Sequence, residues 1–310
     1  MLLLAARSMK VVKLLHNPKA GDQQHSKKKL VELIESKGYK CLYASLKKSG
    51  WGKIESSVDI VAIAGGDGTV IKVVNKFLRR SLIDRKFPLA LLPMGTANNI
   101  ATALGITQPT REVIESWKHA MIRKYDIGSV HGIGEPAFVE SMGFGAFTAT
   151  IRKMQSIEKQ LESDPEHRLS TATSVFRDIV HSYRGRKCKV IADGVSYPGK
   201  FLMIEIMNTP FIGPNLDINP TAELGDGIFE VILVSEGQRE QLYRYLEDKF
   251  LGGQTSFSFQ PIKARKVQLE WEGMNMHIDG EIVKAGRPIR VHIEARPGLF
   301  DFLVPGEPAI

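Results

Sequence analysis

Hydrophobic residues in the first 125 positions fall into two alternating patterns. Short continuous apolar runs occupy 10–16, 39–45, 60–64 and 88–92, the pattern of strands buried on both faces. Between and after them, apolar residues recur three and four apart: Leu30, Leu33 and Ile34; Val70, Val73, Val74, Phe77 and Leu78; Ile100 and Leu104; Val113, Ile114 and Trp117. That spacing lines one face of a helix. Gly38 and Gly105 stand where helices would stop, and Thr110 where one would be capped. Strand–helix alternation of this kind predicts an α/β domain with a doubly wound, mostly parallel sheet.

The pattern changes after Tyr125. Residues 126–142, 186–208, 227–235 and 264–294 mix Val, Ile and Phe with alternating polar residues, and Asp193-Gly194 and Glu272-Gly273 read as turns. These features predict a mainly antiparallel β-sandwich or open barrel. Two helical pieces interrupt it. One spans roughly 150–185, with Val175, Phe176, Ile179, Val180 and Tyr183 on one face; the other spans 238–250, with Leu242, Tyr245 and Leu246. A chain of 310 residues is long for one core. The expected division is a domain at 1–128, with or without 296–310, and a β-rich domain at 129–295.

Composition excludes several classes. With 43% hydrophobic and 25% charged residues, the chain is an ordinary globular sequence without low-complexity tracts. Cys41 and Cys188 lack metal-ligand spacing and read as free thiols of a reducing cytosol. The opening M-L-L-L-A-A-R-S-M-K is too short for a secretory signal, and Met9 is an alternative start. No stretch is long enough to span a membrane. A cytoplasmic protein is expected. The net charge of +8 favours anionic partners, namely nucleotide phosphates, acidic lipid surfaces or nucleic acid. Nucleic acid is disfavoured, because no zinc-finger, RNP-type or basic-zipper pattern occurs.

Three polar loops each follow a predicted strand: Asn17-Pro18-Lys19-Ala20-Gly21, Gly65-Gly66-Asp67-Gly68-Thr69, and Pro93 to Asn99. The ends of parallel strands point to one edge of a sheet, so the loops are expected to converge there. Glycines admit a ligand close to the backbone, and a helix N-terminus offers unpaired N–H groups to phosphate. A bare turn explains G-G-D-G alone; three such loops at one edge point to a nucleotide or phosphate site.

N-P-K-A-G, G-G-D-G-T, P-M-G-T-A-N and a later D-G-E together resemble the signature set of the diacylglycerol/sphingosine lipid kinase family, in its soluble bacterial branch. The motifs run from Asn17 to Glu281. The resemblance implies ATP bound between an α/β and a β-rich domain, and Mg²⁺-dependent phosphorylation of a lipid hydroxyl. It implies ATP contacts from Asn17, Gly21, Ser45, Gly65, Gly66, Asp67, Gly68, Thr69, Gly95, Thr96 and Asn98. It implies a structural metal held by the Asp226 carboxylate and the main-chain oxygens of Glu223 and Ile228. In D-G-E, it makes Glu281 the base, with Asp279 beside it. Physically, Asp67 near phosphates makes sense if it holds Mg²⁺ directly or through water. A carboxylate at 279 or 281 suits proton removal from an alcohol.

Asn99 stands where the family usually has Asp, and Ile71-Lys72 where it has Asn-Glu. An NAD kinase-like phosphotransferase and a non-catalytic nucleotide-binding regulator are the rival readings. A lipid acceptor implies peripheral contact with an anionic membrane, for which the helical face near 150–187 with Arg184, Arg186 and Lys187 is a candidate. Packing of that face on the β domain is the plainer alternative. A homodimer is left open.

Overall fold

The computed structural model describes residues 9–20, 26–79, 86–134, 136–157, 164–213, 215–284 and 288–306. The chain divides into two compact units, Met1–Lys124 with Phe300–Ile310, and Tyr125–Leu299.

Unit 1 begins with β1 (Val11–His16), α1 (Lys27–Ser36), β2 (Lys40–Ser45), β3 (Ile60–Gly65), α2 (Asp67–Leu78), β4 (Leu89–Pro93), α3 (Asn99–Ala103) and α4 (Thr110–Ser116). β1 lies between β2 and β3, and β3 between β1 and β4, all parallel. Every residue of β3 is buried, which is why its sequence is a continuous apolar run and not an alternating one. α1 starts at Ser26, whose hydroxyl accepts from the Lys29 amide at 3.4 Å. α4 starts one residue earlier than expected: Pro109 is the flanking residue and Thr110 the first helical one.

Unit 2 continues with β5 (Met121–His131), β6 (Ala137–Phe138), β7 (Ser141–Gly145), α5 (Ala146–Ile157), α6 (Pro165–Ser182), β8 (Arg186–Ala192), β9 (Val195–Met207), β10 (Phe211–Ile212), β11 (Leu216–Asp217), β12 (Phe229–Ser235), α7 (Arg239–Phe250), β13 (Ile262–Ala264), β14 (Lys266–Trp271), β15 (Asn275–Ile278), β16 (Glu281–Lys284) and β17 (Ile289–Val304). Its pairings are antiparallel: β9 with β7, β8 and β12, β14 with β8 and β17, and β15 with β7 and β16. This is the expected β-sandwich with inserted helices. β12 shows its two faces: Phe229 and Val231 join a core with Phe138, Phe144 and Trp271, whereas Ile232 and Val234 join one with Phe176, Leu242 and Leu246 under the helices. β12 is therefore covered on both sides.

The helical piece expected over 150–185 is two helices, α5 and α6. Asp164 caps the second, its carboxylate accepting from the His167 amide at 2.7 Å, and Pro165 fills the first turn. Asp-Pro is a helix-start signal of its own, because proline tolerates the first turn, where no amide partner is needed. The end of β17 returns to unit 1, pairing in parallel with β4 at Phe302↔Leu89 and Leu303↔Ala90. Both cysteines are free, and burial pushes their thiols up to about 11 (Cys41) and about 12 (Cys188), which makes them poor nucleophiles.

Candidate active site

In unit 1, β1, β3 and β4 end side by side, and their loops meet. Asn17 donates its backbone N–H to the Ala64 carbonyl at 3.0 Å and its Nδ2 to the Thr69 hydroxyl at 3.1 Å. The first loop is thereby fastened to the first turn of α2. Gly66 and Gly95 touch backbone to backbone: a Cβ on Gly66 would lie 2.8 Å from the Cα of Gly95, and the reverse 2.6 Å. At Gly65 a Cβ would fall 2.4 Å from the Thr69 hydroxyl oxygen. These contacts demand glycine for space, not for dihedral freedom. The third loop closes on itself. Asn98, at φ +53°, accepts from the Gly95 amide at 2.8 Å and donates to its carbonyl at 2.9 Å.

Asp67 is occupied. Its Oδ2 accepts from the Asn99 amide and its Oδ1 from the Ile100 amide, both at 3.0 Å, so it fixes the start of α3 against the glycine turn. Burial raises its carboxyl, against the pull of those N–H groups. No side chain caps α2 at Gly66. The Thr69 amide turns back to the Gly66 carbonyl at 2.8 Å, and the amide of Gly68 is left as the kind of orphan donor that a helix start presents. Gly68 and Thr96 are exposed, and Gly68 has open space above it. Ser45 ends β2 beside His16 and accepts from the Lys47 amide at 3.4 Å. Gly21 lies outside the described residues.

The atypical residues disturb little here. Lys72 donates to the Leu46 carbonyl at 3.3 Å and sits 5.8 Å over the Trp51 ring, so its charge is spent on the segment after β2. Asn99 contacts Asp67 through its main chain, which any residue would supply.

In unit 2, Asp279 stands at φ +49° in the turn between β15 and β16. Its carboxylate accepts from the amides of Val139 (2.9 Å), Glu140 (2.8 Å) and Ser141 (3.2 Å). Burial drives its pKa up to about 6 despite those donors, which pull it down. Asp279 therefore braces the turn. Glu281, two residues on, is exposed and makes no hydrogen bond or ion pair among the described residues. Of the two carboxylates, it is the one free to accept a proton.

Behind this turn lies a row that the sequence reading missed. Gly143 on β7 is paired with Glu205 on β9 and with His277 on β15. A Cβ on Gly143 would fall 2.1 Å from the Glu205 carboxylate. The missing side chain lets Glu205 reach across β7 to His277 Nε2, at 3.0 and 3.1 Å from its two oxygens. Both side chains are fully buried, and Phe147 stands edge-on to the imidazole, 5.2 Å away. Burial raises the Glu205 carboxyl, and His277 opposes that rise.

The segment 223–228 is pinned by Asp126, also missed. Asp126 accepts from the Gly227 and Gly298 amides, both at 2.6 Å, and its own N–H donates to Leu224 at 2.7 Å. Asp226 Oδ1 accepts from the Ile228 amide at 2.9 Å, while Glu223 is exposed. Burial raises the carboxyls of Asp126 and Glu230, and the negative charge of Asp226 adds to both rises. Glu230 is buried with Lys263 Nζ 3.9 Å from its Oε1, and burial, the main cause, raises its pKa to about 7 against the pull of Asn219 and Lys263. Among the described residues no group of three His, Cys, Asp or Glu side chains forms a metal cluster. A site built from the Asp226 carboxylate and two main-chain oxygens is a different donor set, of the hard-oxygen kind that suits a divalent cation. One signal for the missed residues was legible: Asp126 and Glu205 are charges inside apolar strand runs, which stay buried only with partners.

Two family models match the chain. Residues 11–130 match the diacylglycerol kinase catalytic domain, and 158–304 the YegS C-terminal NAD kinase beta sandwich-like domain. A protein of Staphylococcus aureus (strain MSSA476), provisionally named a lipid kinase, is 27% identical over 265 residues, 81% of this chain and 79% of its own. The diacylglycerol kinase of Bacillus subtilis (strain 168) is 25% identical over 289 residues, 88% and 90%. A solved structure from Bacillus anthracis str. Sterne, provisionally named a diacylglycerol kinase, shares the fold with a TM-score of 0.74 at 21% identity, over 96% of this chain and 98% of that one.

Proposed function

Because the chain belongs to the diacylglycerol kinase-type lipid kinases, a family of phosphotransferases, we propose that it moves the γ-phosphate of ATP to a hydroxyl of a diacylglycerol-like lipid, with Mg²⁺ and with Glu281 as base. The observation that carries this reading is the meeting of three Gly-, Asn- and Thr-rich loops at the edge of the parallel sheet in unit 1. There, Gly66 and Gly95 touch and Asn17 holds Thr69. Phosphoryl transfer needs mainly positioning and neutralised charge, and a backbone cradle supplies donors without desolvating a side-chain cation.

In this reading, unit 1 holds ATP through Asn17, Ser45, the Gly65–Thr69 turn, Gly95, Thr96 and Asn98. Asp67, both of whose oxygens already accept from amides, is the residue that would help hold Mg²⁺, which would supply charge neutralisation at the phosphates. Unit 2 supplies the acceptor chemistry. As the lipid oxygen bonds to phosphorus and the bond to the leaving ADP breaks, the hydroxyl proton passes to the Glu281 carboxylate. Asp279 holds the turn that presents Glu281. Asp226, with the main-chain oxygens of Glu223 and Ile228, would hold a structural cation, which would supply positive charge to the 223–228 segment. The chain meets its lipid from the cytoplasm by peripheral contact with an anionic membrane; no described helix is long and apolar enough to cross one.

The test is transfer of labelled phosphate from Mg²⁺-ATP to diacylglycerol in mixed vesicles. Glu281→Ala is expected to lower kcat by about 10²–10⁴-fold while ATP affinity, read by calorimetry, stays within a factor of about two. Tight ATP binding without transfer to any lipid would sink the proposal. Unchanged turnover in the variant would remove Glu281 from the role of base.

A further inference from the structure

Helices α5 and α6 and the segment leading into β8 enclose a groove of about 840 Å³ in unit 2. Ala149, Val175 and Ile179 give it an apolar floor. Four cations line it, Arg152, Lys153, Arg184 and Arg186, against one carboxylate, Asp178, which already pairs with Arg177 at 3.2 Å. None of the four cations is in an ion pair among the described residues, whereas Lys266 and Arg290 of the same unit pair with Glu294 and Glu270. Tyr183 stands among them, its phenol in the field of both Arg186 and Arg152. A smaller recess of about 230 Å³ shares Ala149, Arg152, Tyr183 and Arg186 and runs on to Trp271, Asn275 and the carboxylate of Glu272, so the groove has depth as well as a rim and its cations keep the majority.

Like charges gathered on one wall repel one another, and an anion between them removes that cost. Guanidinium groups match the oxygens of a phosphate in pairs, which gives geometry as well as charge. An apolar floor beneath a cationic rim suits a molecule that is anionic at one end and oily at the other. We propose that this groove binds the phosphate of an anionic phospholipid, with the first acyl carbons on the Ala149–Val175–Ile179 floor. The bound lipid is not the phosphate acceptor but holds the protein at the membrane surface. The choice of a lipid over other organic phosphates rests on the lipid kinase reading above.

The test is co-sedimentation of the full chain, without ATP, on phosphatidylcholine vesicles with and without phosphatidylglycerol. Because no turnover is measured, an inactive chain can still bind and an active kinase can fail to. Binding is expected only with phosphatidylglycerol, and Arg152→Gln/Arg186→Gln is expected to weaken it about tenfold or more. Lys29→Gln/Lys40→Gln, which removes two exposed lysines of unit 1, is expected to leave it within about twofold. Should the arginine pair prove necessary for folding, Lys153→Gln/Arg184→Gln takes its place, with the same expected loss. Equal losses from both sites of substitution would show general charge attraction and overturn the proposal. Displacement from the vesicles by glycerol 3-phosphate, at an ionic strength where sodium chloride has no effect, would overturn the lipid assignment in favour of a soluble phosphate ester.

Discussion

The glycine turn of unit 1 and the β15–β16 turn of unit 2 solve opposite problems. At Gly65–Thr69 the site is made by leaving side chains out: Gly66 and Gly95 approach until their backbones touch. At Asp279–Glu281 the site is made by putting charged side chains in: Asp279 gathers three amides, and behind it Glu205 reaches over Gly143 to His277. Glycine serves both, but in unit 1 it admits another backbone and in unit 2 it admits a carboxylate. The first arrangement resists changes of size, and the second resists changes of charge.

The largest expected effect tests that second statement. His277→Leu leaves Glu205 buried without its partner and is expected to cost about 3–5 kcal/mol, whereas Glu205→Gln keeps a hydrogen bond and costs about 1 kcal/mol. Urea unfolding measures both, and equal losses would mean that volume, not charge, governs the row. Next comes Asp279. Its pKa in the folded chain, about 6, lies above the ordinary 3.8. Its contribution is therefore complete at pH below about 4 and is lost as pH rises to about 6, where the unfolded chain has already released its proton. Relative to Asp279→Asn, the wild type is expected to lose on the order of 2–3 kcal/mol across that window; a difference that grows with pH would reverse the assignment. In unit 1, Gly66→Ala is expected to cost about 2 kcal/mol, since its Cβ meets backbone that cannot swing aside, and to weaken ATP binding. The smallest effect is Gly68→Ala, with open space above it. It gains helix propensity and is expected to raise stability by up to about 1 kcal/mol. If both alanines cost the same in thermal melts, the close approach of the two loops is not what selects glycine.

Unit 1 was legible because a parallel sheet covered on both faces writes itself as unbroken apolar runs, and β1, β3 and β4 are such runs. Its loops could be brought together on paper, since parallel strands share an edge. Unit 2 was legible as strands but not as pairings. Glu205 and His277 are 72 positions apart, and only the register of β9, β7 and β15 places them in one row; alternation tells which face a residue takes, not its neighbour. D-G-E was recognisable as a motif, yet its division of labour was hidden. Asp279 is spent on the amides of residues 139–141, a contact that no local spacing announces.

The strand that joins β4 in unit 1 is made long after it. β4 is finished at Pro93, but its neighbour Phe302 follows roughly 200 residues later, about 10–40 s at ordinary rates of synthesis. For that interval β4 is a hydrophobic edge strand with no partner on one side, the kind of edge that invites pairing with other chains. The glycine-rich loops can form on the nascent chain before their sheet is complete. A chain truncated before Phe300 would keep every motif of unit 1 and still carry an open edge, so solubility, more than missing chemistry, would limit its use.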